Sequence, residues 1–316
     1  MNKDDSGFKW GPFSIVGPKP WRLQIQQLGG SVLYPHEHHP SRAKISHGPR
    51  DVDLSLPVIM KGNYFEAFTH ARDLEATDWW YWDNCLLPQL MTPSPANPRG
   101  EKVWCRLVYK STAPQEFQGT EQALEQEEQR VNYWIRRESQ GRQGDWRDSV
   151  RIEFTGRTSR RVLVCLSSTQ LLSHWYGEDL SELRQRVLRV CQLRGWEPVF
   201  RDKPPRNQRQ GTQSLGHQLR SEPWRCVICT HSAAPAEVIE QGIPCVALGA
   251  QAIGELATTW QEFTEDQLRT YTRDQALQAL RRILPLTRHK QELLTGSWSQ
   301  DYQCLHQAYD KWTLYG

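Results

Sequence analysis

Arg225-Cys-Val-Ile-Cys-Thr-His-Ser-Ala-Ala-Pro-Ala-Glu-Val-Ile-Glu-Gln-Gly-Ile-Pro-Cys-Val-Ala-Leu-Gly249 is the stretch whose reading decides the fold. Cys226 to Thr230 is a short apolar run ending in small polar residues, the pattern of a buried parallel strand. Ser232 stands at the N-cap of a helix predicted over 233–241, and Gly242 is placed to end it in a left-handed conformation. Ile243-Pro244 restarts an extended segment, Cys245 to Leu248. Strand, helix and strand thus follow one another as a crossover, which is expected to be right-handed. In such a unit the helix N-terminus faces the carboxyl edge of the sheet, where free N–H groups and the helix dipole favour an anion. Glu237, one turn inside the helix, is within reach of a ribose hydroxyl beside that anion. The same residues also fit an ordinary Rossmann-like crossover with Glu237 in solvent.

The surrounding composition is globular. The chain has 316 residues, enough for two domains that each bury a core, with 38% hydrophobic and 24% charged residues. No apolar run approaches the roughly 20 residues that span a bilayer, so no membrane partner is expected. Met1-Asn-Lys-Asp-Asp-Ser6 lacks the apolar core of a signal peptide, and a cytoplasmic location is expected, in a host cell if the chain is virus-encoded. Eight cysteines are scattered, several within predicted strands, as reduced core residues would be. Cys226 and Cys229 have CxxC spacing but no second ligand pair succeeds them, and His36, His38, His39 and His47 sit in a Pro-rich loop. No metal is expected, although the histidine run leaves ligation open as a lesser alternative to a solvated loop. A net charge of +3 permits nucleic-acid contact without requiring it. The fourteen tryptophans mostly flank predicted elements, which favours core packing over base stacking.

Several other segments carry candidate chemistry. Short strands are read at Phe13 to Val16, Ser31 to Tyr34 and Leu54 to Met60, the last followed by Lys61-Gly62 and a helix-like run to Leu74. Trp79-Trp-Tyr-Trp-Asp83-Asn84 reads as a buried strand whose terminal carboxylate points to the crevice where open α/β sheets bind ligands. Val103 to Tyr109 is a further strand carrying Arg106, and the segment from 92 to 102 is a Pro-rich loop. Glu121 to Glu138 reads as a solvated amphipathic helix with Leu124, Val131, Trp134 and Ile135 as its apolar positions. Gln140 to Arg160, polar and rich in Gly and Arg, is taken as the interdomain connection. Arg161 to Leu166 opens the second domain as a strand followed by Ser167-Ser168. Leu180 to Leu193 is a helix ended by Gly195, and Trp196 to Phe200 a strand leading into Arg201-Asp-Lys203. Two cations at this edge suit a diphosphate when taken with the Ser232 to Glu237 helix, and a basic surface loop when taken alone; Arg206, Arg209 and Arg220 extend the basic character toward an acidic acceptor backbone. Glu265 to Ile283 and Gln300 to Trp312 read as amphipathic helices.

Taken in order, these pieces resemble GT-B glycosyltransferases, and most closely the small glycosyltransferase-like proteins of bacteriophages. Ser232-Ala-Ala-Pro-Ala-Glu237 with Gly242-Ile-Pro244 is similar to the family's donor-binding helix, with Ala233 where the pattern has Asn. Asp83-Asn84 matches a second segment, the next residues Cys85-Leu86-Leu87 depart from it, and Arg106 matches a third that lies near the Asp. The resemblance implies an α/β, GT-B-like fold of two Rossmann-like domains facing each other across a cleft. An acceptor-side domain would span 1–150, a nucleotide-sugar domain 151–297, and a C-terminal helix in 298–316 would return to the first. It implies Asp83 as general base with Arg106 beside it, although Asp83 also reads as a turn cap with a structural Arg partner. Donor contacts would come from Ser167, Ser168, Arg201, Lys203, His231, Ser232, Ala233 and Glu237, and acceptor-side contacts from Lys61, Gly62 and Asn84. The implied reaction is metal-independent transfer from a nucleotide sugar, with UDP as the nucleotide, to hydroxymethylated DNA pyrimidines such as hydroxymethylcytosine, by a monomer or weak dimer. Alternatives are a cell-surface glycan or small-molecule acceptor, or a non-catalytic binder of nucleotide sugar or nucleic acid.

Overall fold

The computed structural model describes residues 14–16, 31–33, 58–61, 79–87, 90, 103–109, 119–141, 144–150, 152, 159–167, 172, 177–202, 214–230, 234–248, 253–289 and 292. Ten strands form two sheets among these residues. The first contains β1 (Ser14–Val16), β2 (Ser31–Leu33), β3 (Val58–Lys61), β4 (Trp79–Asn84), β5 (Trp104–Tyr109) and β10 (Thr287–His289), in the order β10-β5-β4-β3-β1-β2. The second contains β6 (Arg161–Cys165), β7 (Glu197–Phe200), β8 (Cys226–Cys229) and β9 (Cys245–Ala247), in the order β7-β6-β8-β9.

The second sheet is wholly parallel. The chain moves from β6 outward to β7, then crosses back to the other side of β6 to make β8 and β9. The first sheet repeats that order in its parallel part, with β1 flanked by β2 and β3 and followed by β4. It then adds antiparallel β5 and β10 at one edge. The chain is therefore mixed α/β with two sheets built on one strand order.

Helices cover both faces of the second sheet. Val162, Val164, Cys226 and Ile228 pack with Val187 and Cys191 of α2 (Leu180–Leu193) and with Phe263 of α5 (Trp260–Thr264). Leu163, Val227 and Cys229 face the other way, toward Leu219 of α3 (Leu215–Ser221) and toward α4 (Ala234–Glu240) and α6 (Arg273–Arg281). Strand side chains alternate, so Cys226 and Cys229 lie on opposite faces and cannot share one ligand. Gly242 and Gly195 end α4 and α2 at φ 63° and 64°, left-handed values that carry a penalty for residues with a Cβ.

The Gln/Glu-rich helix α1 (Glu121–Glu138) is amphipathic as expected, burying Leu124, Val131, Trp134 and Ile135 with its opposite face exposed, and its inner side also carries ion pairs. Arg130 uses Nε on Glu127, Nη1 on both oxygens of Glu292, and Nη2 on the carbonyls of Leu284 and Thr287, at 2.6–3.2 Å. Arg281 pairs with Glu121 and with Glu128, and buried Arg288 reaches Glu127 at 3.0 Å. The His289 ring stacks on Trp134 at 4.4 Å. Burial raises Glu127, but Arg130 and Arg288 outweigh it and hold its carboxyl below the ordinary value. The polar connection is also partly core: Trp146 is fully buried, its backbone N–H on Asn132 and its indole N–H on Glu128 at 2.7 Å.

The span read as one helix from 265 to 283 is divided. Asp266 takes φ 63°, Tyr271 is buried with its hydroxyl donating to the Ile243 carbonyl at 2.7 Å, and α6 begins only after the Thr272 capping box. Thr287–His289 lies within 151–297 and yet pairs with β5, so the chain re-enters the first sheet before 298. The segment 298–316, with the helix read there, and the helix-like run from 63 to 74 lie outside the described residues.

Replacing Arg130 with Met is expected to lower unfolding free energy by about 3–5 kcal/mol, because it takes the shared guanidinium from the Glu127 and Glu292 carboxylates and leaves two carbonyls without it. Urea titration of the two proteins at neutral pH measures this directly. The depressed Glu127 carboxyl makes its share of stability present above the ordinary carboxylate range and lost as pH falls through the folded value, so the difference between the proteins should narrow in acid.

Candidate functional site

The order β7-β6-β8-β9 reverses the winding direction between β6 and β8, and such reversals open a crevice at the carboxyl ends of the strands. Helix α2 follows β6 on one face and α4 follows β8 on the other, so neither fills the gap. Ser167 and Thr230 meet there. The Thr230 hydroxyl accepts from the Ser167 N–H at 2.7 Å and donates to Ser167 Oγ at 2.7 Å, fixing the serine at the sheet edge. Thr230 is buried, and the sequence reading took it only as the end of a strand. A threonine immediately beyond an apolar parallel strand was the available signal.

Arg201 follows β7 and continues its ladder, with its N–H on the Val164 carbonyl at 2.9 Å. Its Nη1 donates to Gln218 Oε1 on α3 at 3.0 Å. From α4, Glu237 lies beside Gly216 of α3 and feels the charges of Arg201 and Arg220. Thus the structure brings Arg201 and Glu237 into one electrostatic neighbourhood, with α3 between them.

Glu237 is only partly exposed. Burial pushes its carboxyl up to about 7, against the pull of Arg201, the Gly216 N–H and Arg220. Glu240, one turn further along α4 and buried, is pushed up well beyond the ordinary range by burial and then by Glu237, with Arg220 opposing. Two acidic groups one turn apart on α4 therefore disfavour each other's charged form. Arg220, exposed on α3, is near enough to oppose both upward shifts by its charge.

On the first sheet, Asp83, next to last in β4, lies directly opposite Arg106 of β5. Arg106 Nη2 donates to Asp83 Oδ2 at 3.2 Å; the guanidinium is nearly buried, whereas the Asp83 side chain keeps 34% of its exposure. Lys61 ends β3 at the same edge, paired in register with Trp82, and Asn84 ends β4 opposite Cys105. Cys85, Leu86 and Leu87 are core residues, and Cys85 Sγ lies 3.8 Å from Thr287 Oγ1. Their departure from the resembled pattern is thus a packing feature of this chain. Ser168, Lys203, His231, Ser232, Ala233 and Gly62 lie outside the described residues, as do the histidine-rich loop, the Pro-rich loop before β5, Arg206 and Arg209. Among the described residues no cluster of His, Cys, Asp and Glu is arranged to hold a metal, and no helix is long and apolar enough to cross a membrane.

Neither a protein-family model nor any curated protein sequence matches this chain. Among solved structures it is similar to a Thermosulfurimonas dismutans KpsC beta Kdo 2,4 transferase, with TM-score 0.44 and 14% identity over 88% of this chain and 92% of that one. A KpsC beta Kdo 2,7 transferase from the same organism has TM-score 0.42 and 11% identity over the same shares.

The raised Glu237 carboxyl has a measurable sign. Folding favours its protonated form, so wild-type stability should fall relative to E237Q as pH rises from 4.5 to about 7, and stay level above that. The full change should be at most about 3 kcal/mol. Thermal unfolding of both proteins from pH 4 to pH 8 checks it; parallel curves would place Glu237 in solvent.

Proposed function

We propose that this chain is a GT-B-type glycosyltransferase that moves a sugar from a UDP donor to the hydroxyl of a hydroxymethylated pyrimidine in DNA. The observation that supports it most is the meeting of Ser167, Thr230, Arg201 and Glu237 around the reversal point of a parallel sheet. A cation, a fixed hydroxyl and a carboxyl one turn inside the following helix suit, in turn, a diphosphate and a ribose. Ser168, Lys203, His231, Ser232 and Ala233 join the donor side in this reading.

In the reaction, Asp83 takes the proton of the acceptor hydroxyl while that oxygen bonds to the anomeric carbon. The bond from the anomeric carbon to the diphosphate oxygen breaks, and its electron pair leaves with UDP. Arg201 and Lys203 take up the developing charge on the diphosphate. Lys61, Gly62 and Asn84 line the acceptor side. The DNA acceptor rests on the resemblance of Asp83-Asn84 and the Ser232 to Pro244 segment to phage proteins; a glycan or small-molecule hydroxyl requires the same base and donor chemistry.

One observation favours a second reading, a non-catalytic nucleotide-sugar binder. The nearly buried Arg106 occupies Oδ2 of Asp83, as it would in a purely structural pair. The D83A variant separates the two. For a transferase it should lower turnover by about 100-fold or more with UDP affinity retained. For a binder, wild type and variant both lack turnover. Mass spectrometry of nucleosides from hydroxymethylated and unmodified DNA incubated with UDP-sugars should show a hexose-type mass increase on the modified base alone. Reaction of glycan acceptors with every DNA inert would overturn the DNA assignment.

A further inference from the structure

Helix α3 reaches the crevice through Gln218, whose Oε1 accepts from Arg201 Nη1 at 3.0 Å. Both ends of this bridge are tied to the fold. The Arg201 backbone N–H continues the β6 ladder on the Val164 carbonyl at 2.9 Å. The Gln218 N–H donates to the Ser214 carbonyl at 3.3 Å, and its carbonyl accepts the indole N–H of fully buried Trp224 at 3.0 Å. Leu219, the next residue, is fully buried and seats α3 against the sheet. A guanidinium has donors only, so the amide must present its oxygen to it.

Elsewhere in this half of the chain arginines meet carboxylates: Arg161 pairs with Glu222, Arg225 with Asp266 and Arg269 with Glu262. The group that α3 offers to Arg201 is an amide, which takes a hydrogen bond and brings no negative charge. Glu237 does act on Arg201 by charge, but burial pushes that carboxyl toward its neutral form. We propose that Gln218 is a positioning residue for the donor diphosphate: it aims the Arg201 guanidinium at the crevice without cancelling its charge. This inference rests on the proposed donor site. A carboxylate at position 218 would hold Arg201 more firmly and leave it less able to bind an anion.

The test uses the full chain with Q218E, Q218M, R201M and the R201M/Q218E pair. Each is titrated by calorimetry with UDP and with inorganic pyrophosphate at neutral pH, beside thermal unfolding without ligand. Q218E should raise the unfolding temperature by about 2 °C and yet lower affinity for both ligands about tenfold. Q218M keeps the length of the side chain without its acceptor, and should lower affinity about threefold. R201M should lower affinity at least as much as Q218E. The thermal gain from Q218E should vanish in R201M, because it acts through Arg201. A purely structural Gln218 predicts a different pattern, with Q218E binding as wild type does or more tightly. Q218E and Q218M that both bind UDP and pyrophosphate as wild type does overturn the proposal and leave the donor site standing. If wild type binds neither ligand, the donor reading fails and the diphosphate role of Gln218 fails with it, while the ligand-free cycle still decides whether Gln218 holds Arg201.

Discussion

The pairing of β6 with β8 is the constraint from which the candidate site follows. These strands are adjacent in space but separated in sequence by α2, β7 and α3, and the ladder from Val162↔Cys226 to Cys165↔Cys229 sets both carboxyl ends level. Because α2 and α4 leave in opposite directions, the crevice above this ladder is left unfilled by helix. The Ser167–Thr230 hydroxyl pair extends the ladder by one polar step. Arg201 then enters from β7, held by Gln218 of α3, and Glu237 enters from α4. Had β8 paired outside β7 instead, these side chains would be dispersed along the sheet.

A second constraint ties the C-terminal part of the described chain to the first sheet. Strand β10 is polar for a strand, Thr-Arg-His, and all of it is buried. Its burial is tolerable because α1 supplies Glu127 to Arg288 and Glu138 to His289, while Arg130 accounts for the Leu284 and Thr287 carbonyls. Ion pairs of this kind add little net stability over well-packed apolar groups, because desolvation offsets attraction. What they do confer is selectivity: another register of β10 would leave buried charges without partners. The Asp83–Arg106 pair sits next to this seam, since Arg106 is in register with Asp83 on one side and Thr287 on the other. The candidate base is therefore positioned by the same edge that the returning strand completes.

Elements with strong local signals were legible. The bounds of α1 and α2 follow from apolar spacing, and Gly195 and Gly242 stop their helices as left-handed caps. One signal ran against the sequence reading: Thr272 with Gln275 is a capping box inside the span read as one long helix, and it starts a new helix there. Others had no local signature. Nothing within Leu215–Ser221 announces that Gly216 will meet Glu237, because that contact depends on α3 folding back over α4.

The sequence by itself determined the α/β class, the strand–helix–strand unit at 226–247 and the identity of Asp83, Arg106, Arg201 and Glu237 as chemically capable groups at strand and helix ends. Hydrophobic period and capping chemistry act over a few residues, so they are written locally. Only the tertiary structure decided that Glu237 is partly buried beside buried Glu240, that Arg201 and Arg220 come close enough to act on its charge, and that the inner side of α1 is tied to Arg281 and Arg288. Those properties arise from desolvation and charge pairing between segments far apart in the chain, and no window of sequence contains both partners.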